Sequence, residues 1–122
     1  MSSRVIATVG AVVSLIFGAI GLVTPGALAT VFGITLDPTG AAAVRLAFAS
    51  YLAFGLLSWL ARDLTDARAW RAVAAASAAS WALGAIVFAS ALLSGLAGNQ
   101  AWLVVAIQVL FTIAWTRVYA QA

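Results

Sequence analysis

Four long apolar runs organise the chain. Residues 5–23, 40–61, 72–96 and 101–116 carry almost no charge; Arg45 alone interrupts the second run, and Arg117 closes the fourth. A bilayer core of about 30 Å needs roughly 20 apolar residues in a helix, which these runs match. None alternates apolar and polar positions as a membrane β-strand does. Backbone groups in hydrocarbon must be satisfied within the segment, so the runs predict helices. The expected spans are about residues 4–23, 38–61, 69–96 and 99–119, in one transmembrane domain over 1–122. The fold class expected is all-α, an integral membrane four-helix bundle.

Helix punctuation marks the boundaries. Asp37-Pro38 reads as an N-cap followed by proline at the first helical position. Gly98-Asn99 reads as a turn, with Asn99 capping the last span. Residues 62–68, the one hydrophilic stretch, join the second and third spans. The segment between the first two spans carries signals of its own. Thr24 can cap and Pro25 can start a short helix over 25–32, ended by Gly33. Leu28, Val31 and Phe32 would share a face, which suits a helix lying in the interface. Arg4, the first apolar run and Ala27-Leu28-Ala29 imitate a secretory signal with its cleavage site. The run exceeds the roughly 7–15 residues of such a segment, so it is read as a span.

Composition sharpens this picture. The chain is 66% apolar and 7% charged, with a mean hydropathy of +1.16. Soluble domains are about 45–50% apolar and about 25% charged, so too few polar residues exist here to cover a wet surface. Without cysteine there is no disulfide or thiolate chemistry, and without histidine no imidazole ligand or base. No cofactor and no nucleic-acid partner is implied. An alanine- and arginine-rich, lysine-free chain suggests a bacterial source. Arg4, Arg62, Arg68, Arg71 and Arg117 fall on one side of the predicted bundle, and the other side has no basic residue outside the spans. That asymmetry predicts cytoplasmic termini in a bacterial inner membrane. Trp59, Trp70, Trp115 and Tyr119 gather at the arginine side, and Trp102 marks the other.

Small residues at spacings of four suggest the packing faces. The first span has Gly10, Ser14 and Gly18; the third has Ala76, Ser80 and Gly84. They point to packing within the bundle or to self-association. Four residues are candidates for ligand or lipid contact. Arg45 lies about 12 Å along its helix from Asp37. It either snorkels outward or turns inward to backbone carbonyls, to Asp37 through water, or to an anionic headgroup or ligand. Gln108 sits mid-span and needs partners in hydrocarbon; Ser14, Ser50, Ser77 and Ser80 are the candidates. Trp81 is a mid-span aromatic that packs against the last span or stacks on a lipidic or quinone-like ligand, and Tyr51 carries the same ambiguity. No pair of reactive groups suited to acid–base or nucleophilic chemistry is present in the spans, so no enzyme is expected. The absence of an intramembrane carboxylate argues against ion coupling.

One set of short motifs is familiar: Pro25-Gly26-Ala27-Leu28, Val31-Phe32-Gly33, Asp37-Pro38, Arg45-Leu46 and Gly55-Leu56-Leu57-Ser58-Trp59-Leu60-Ala61-Arg62. With residues 99–112, they resemble small bacterial four-helix membrane proteins of the DoxX-like type. In that group a proline after the first span, an apolar turn ending in Phe-Gly and an arginine early in the second span recur. The resemblance implies fold and topology and supplies no reaction. The function expected is a non-enzymatic membrane module in contact with lipid, self-associating as a homo-oligomer or serving as an accessory subunit of a larger complex. The alternative is a small-molecule, ion or lipid-binding module centred on Arg45, Gln108 and Trp81. A cavity beneath the interfacial helix reaching Gln108 would favour the alternative.

Overall fold

The computed structural model describes residues 2–122. Five α-helices follow one another: α1 (Ser3–Val23), α2 (Pro25–Val31), α3 (Pro38–Ala61), α4 (Ala67–Leu93) and α5 (Trp102–Gln121), the last entered through a 3-10 turn over Asn99–Ala101. No strand occurs among the described residues. All four long helices, α5 taken with its 3-10 turn, are long and apolar enough to cross a membrane.

Local chemistry sets the ends of these helices. The Asp37 carboxylate accepts from the Gly40 N–H at 2.6 Å, ahead of Pro38 at the first helical position, as the sequence predicts. Asp66 does the same for α4, accepting from the Ala69 N–H at 2.7 Å. A carboxylate there satisfies an orphan donor and complements the helix dipole. That cap starts α4 at Ala67 rather than 69. At its far end α4 stops at Leu93, short of the expected 96. Gly95 adopts φ +71°, and the Leu96 N–H returns to the Ala91 carbonyl at 2.8 Å. This Schellman closure needs a left-handed residue, which glycine supplies. Asn99 does not cap α5: Gly98 is the N-cap of the 3-10 turn and Ala101 that of α5, neither with a side-chain cap bond.

Helix α2 starts at Pro25 as expected and ends one residue early at Val31, without the expected side-chain cap and with a different buried face. The Thr24 hydroxyl donates back to the Ile20 carbonyl of α1 at 3.0 Å and leaves α2 uncapped. Gly33 ends it at φ +69°, with the Ile34 N–H on the Ala29 carbonyl at 2.9 Å. The buried face is Pro25, Leu28 and Ala29. Val31 points away at 60% exposure, and Phe32 lies beyond the helix end.

The long helices form two antiparallel pairs, α1 with α3 and α4 with α5. Within each pair the backbones approach closely. A Cβ on Gly18 would lie 2.9 Å from the Leu52 nitrogen, and one on Gly55 would lie 3.0 Å from the Leu15 nitrogen. Gly84 leaves room for the Gln108 side chain in the same way. Small residues that let helices touch are the expected device where lipid removes the hydrophobic drive. Gly10, Ser14 and Gly18 are all buried, as their stripe predicts. Ala76 and Ser80 are exposed instead. The working face of α4 is Trp70, Ala74, Ser77, Trp81 and Ala85, a neighbouring stripe that carries the large aromatics.

The two pairs are joined at their ends. At the arginine-rich end, Ile6, Ala7, Trp70, Ala74, Trp115 and Val118 form a buried cluster. There the Trp70 indole donates to the Leu64 carbonyl at 2.6 Å, and Asp63 pairs with Arg4 at 3.1 Å and Arg62 at 3.5 Å. At the opposite end the Gly98 N–H donates to the Phe32 carbonyl at 2.8 Å. A Cβ on Gly33 would meet the Gly98 nitrogen at 2.9 Å. Part of the space between these two ties is open.

Candidate functional site

That space is a partly open chamber of about 320 Å³ in the half of the bundle away from the 62–66 loop. Phe17 of α1, Phe48 of α3, Phe88 of α4 and Val104 of α5 supply apolar wall from all four long helices, and Phe32 lines it from just beyond α2. Phe32 and Phe88 meet edge-on, 6.3 Å between ring centroids. None of the lining residues is charged.

Three of the residues singled out from the sequence meet at this chamber: Tyr51, Trp81 and Gln108. The Gln108 amide nitrogen donates to the Tyr51 hydroxyl at 3.3 Å. The serines expected to meet Gln108 do not do so. Antiparallel pairing sets Gly84 of α4 against the amide, and the long Tyr51 side chain reaches it from α3. Trp81 stacks on Phe111 of α5, 4.5 Å between centroids and 16° between planes. Tyr51 and Phe54 stand edge-on to it at 6.0 and 6.4 Å.

Two polar atoms at this site have no hydrogen-bond partner: the Gln108 amide oxygen and the Trp81 indole nitrogen. Both residues are almost fully buried, at 2% and 4% exposure. A buried polar atom left unpaired costs about 1–3 kcal/mol. Both atoms are packed out of contact with the cavity as well as with the outside, so the cost is carried by the fold itself. Ser14, Ser58 and Trp115 also hold unpaired polar atoms, but none of them lines the chamber.

A second depression of about 270 Å³ opens between α3 and α4, lined by Ala47, Ser50, Tyr51, Phe54, Ser80 and Trp81. It shares Ala47, Tyr51 and Trp81 with the chamber.

Arg45 stands apart from this group. It is exposed, and its Nε donates to the Leu22 carbonyl at 3.2 Å. Leu22 belongs to the last turn of α1, where carbonyls lack intrahelical partners and positive charge is favoured. Of the alternatives read from the sequence, backbone carbonyls are therefore the partner. The Asp37 carboxylate is engaged instead with its own helix. The aromatic walls escaped sequence reading, although a signal existed. Phe48 precedes Tyr51 by three residues and Phe88 follows Trp81 by seven, spacings that share a helix face.

Fold and site together define an all-helical protein with four potential membrane spans and a chamber between its helix pairs. Comparison with known protein families, with curated proteins and with solved structures returns no match.

Proposed function

We propose that the chain is a non-enzymatic binding module of the membrane, which receives an apolar or amphiphilic small molecule in the chamber between its helix pairs. The observation that carries this reading is the uncharged, apolar cavity walled by all four long helices, with Gln108 the one amide among its lining residues. Pockets for small molecules combine apolar walls with a few placed polar groups. Self-association draws less support, because Gly10, Ser14 and Gly18 are turned inward and serve the chain's own packing. The DoxX-like resemblance remains a proposal about kinship. Five arginines at one end, with both termini, favour insertion in a bacterial inner membrane with that end cytoplasmic.

Purification into lipid nanodiscs followed by native mass spectrometry tests the reading. The expected result is a co-purifying small molecule retained by the unaltered chain and lost from Val104→Phe, which fills the chamber. Equal retention by both proteins would place the molecule elsewhere and end this assignment.

A further inference from the structure

The two ends of the bundle differ in charge. Five arginines stand at the end that holds the 62–66 loop, whereas the other end has only Arg45 and Asp37. Helix α1 runs 21 residues, about 32 Å at 1.5 Å per residue. That length matches the ~30 Å hydrocarbon core of a bilayer. Leu22, in the last turn of α1, therefore falls at the edge of the hydrocarbon. The 3.2 Å bond from the Arg45 Nε to the Leu22 carbonyl holds the guanidinium at the same level. Lipid phosphates begin at that depth.

A guanidinium carries five N–H donors and no acceptor. Arg45 uses one of them. The four on its two Nη atoms have no partner among the described residues, and no carboxylate pairs with them. The Nη pair is a planar fork that matches two oxygens of a phosphate. Pinning through Nε leaves less side-chain freedom to lose when that fork is filled. Asp37, the one acid at this end, lies about 12 Å along the helix and accepts from the Gly40 N–H. That separation exceeds the Debye length of about 8 Å at physiological salt. Asp37 therefore neither neutralises Arg45 nor offers a partner to the ammonium of a zwitterionic headgroup seated there. Ala49, one turn deeper on the same face of α3, is exposed and small, and leaves room beneath the guanidinium for acyl chains.

We propose that Arg45 is a phosphate-binding residue: pinned to the end of α1, it offers its Nη fork to the phosphodiester of an anionic phospholipid in the leaflet at that end, in preference to a zwitterionic one. The inference goes beyond the chamber and is independent of what fills it; it rests on the chain's spanning a bilayer.

Photo-crosslinking in phosphatidylcholine nanodiscs with phosphatidylglycerol as the minority lipid tests it. A benzophenone amino acid is introduced at Ala49 in one protein and at Ile86 in another. Ile86 is exposed on α4, a helix with no charged residue after Arg71. Mass spectrometry of the adducts at Ala49 should show phosphatidylglycerol enriched about fivefold over its bulk share, the effect of one basic side chain at a lipid surface. Adducts at Ile86 should follow the bulk composition. Arg45→Gln should return Ala49 to the bulk ratio, and Arg45→Lys, which keeps the charge and loses the fork, should fall between. Replacing chloride with inorganic phosphate at constant ionic strength should leave the enrichment unchanged. A bulk ratio at Ala49 with Arg45 in place overturns the site, and that comparison needs no change at Arg45. Enrichment that survives Arg45→Gln belongs to another residue and overturns it as well. Loss of enrichment in phosphate makes the ligand the free anion and overturns the lipid. Absence of lipid adducts at both positions overturns the bilayer placement and this inference with it, whereas a failure confined to Ala49 leaves the chamber reading standing.

Discussion

At the scale of single residues, Arg45 resolves an apparent conflict. It sits early in α3, where the dipole of its own helix disfavours a cation, yet its Nε reaches the final turn of α1, where a cation is favoured. Arg45→Gln removes the charge and should lower stability by about 0.3–1 kcal/mol, the range for exposed charge–dipole contacts. Thermal unfolding in detergent measures the loss, and faster proteolysis within residues 24–39 should accompany it; Arg45→Lys should recover part of both. Gln108→Leu differs. It strands the Tyr51 hydroxyl but removes an unpaired oxygen, and these effects oppose each other. Stability should change by less than about 1 kcal/mol, measured by thermal unfolding in detergent. Gln108 and Trp81 were legible in the sequence because a polar amide or an indole stands out in an apolar run. Phe32, Phe48 and Phe88 were not, because phenylalanine in a membrane helix reads the same whether it faces lipid, core or cavity.

At the scale of elements, two glycines separate conformation from crowding. Gly33 and Gly95 both hold positive φ, at +69° and +71°. Around Gly95 nothing lies within contact distance of an added Cβ, whereas at Gly33 the Gly98 backbone nitrogen is 2.9 Å away. Gly95→Ala should therefore cost only the left-handed penalty, about 1–2 kcal/mol. Gly33→Ala should cost that and a further ~1–3 kcal/mol from overpacking, because the Gly98–Phe32 hydrogen bond must yield. Parallel unfolding curves of the two variants would show it, and equal losses would contradict the close approach. Within the α1–α3 pair, Gly18→Val should cost more than about 1–3 kcal/mol, since the Leu52 backbone cannot move aside as a side chain can. Helix count and type were readable from run length, and Asp37-Pro38 and Gly33 marked true boundaries. Gly95 and Asp66 were passed over in favour of Gly98-Asn99 and a later start, because several turn formers stand together there and local chemistry alone does not rank them.

At the scale of the whole molecule, reporter fusions at Ala122 and in the 62–66 loop should agree with each other and differ from one at residue 97. The arginine asymmetry further predicts that the agreeing pair is cytoplasmic. A cytoplasmic signal at 97 would contradict that orientation. Which helices pair closely was beyond sequence reading. Every span carries small residues, and the choice of Ser77 and Trp81 over Ala76 and Ser80 as the α4 seam depends on how aromatic bulk is shared between the pairs.

The division into two pairs also bears on how such a chain is made. The α1–α3 pair is complete before α4 leaves the ribosome, and the α4–α5 pair closes on itself afterwards. The only covalent link between them is the short stretch 62–66. Two separately translated halves, cut at residue 64, should each insert and then find one another through the packing of Ile6 and Ala7 in the cluster with Trp70 and Trp115 and through the Gly98–Phe32 contact. Neither half owns the chamber. Anything bound there touches both halves, so it would hold them together by mass action, and recovery of one half with the other should rise as that molecule is added.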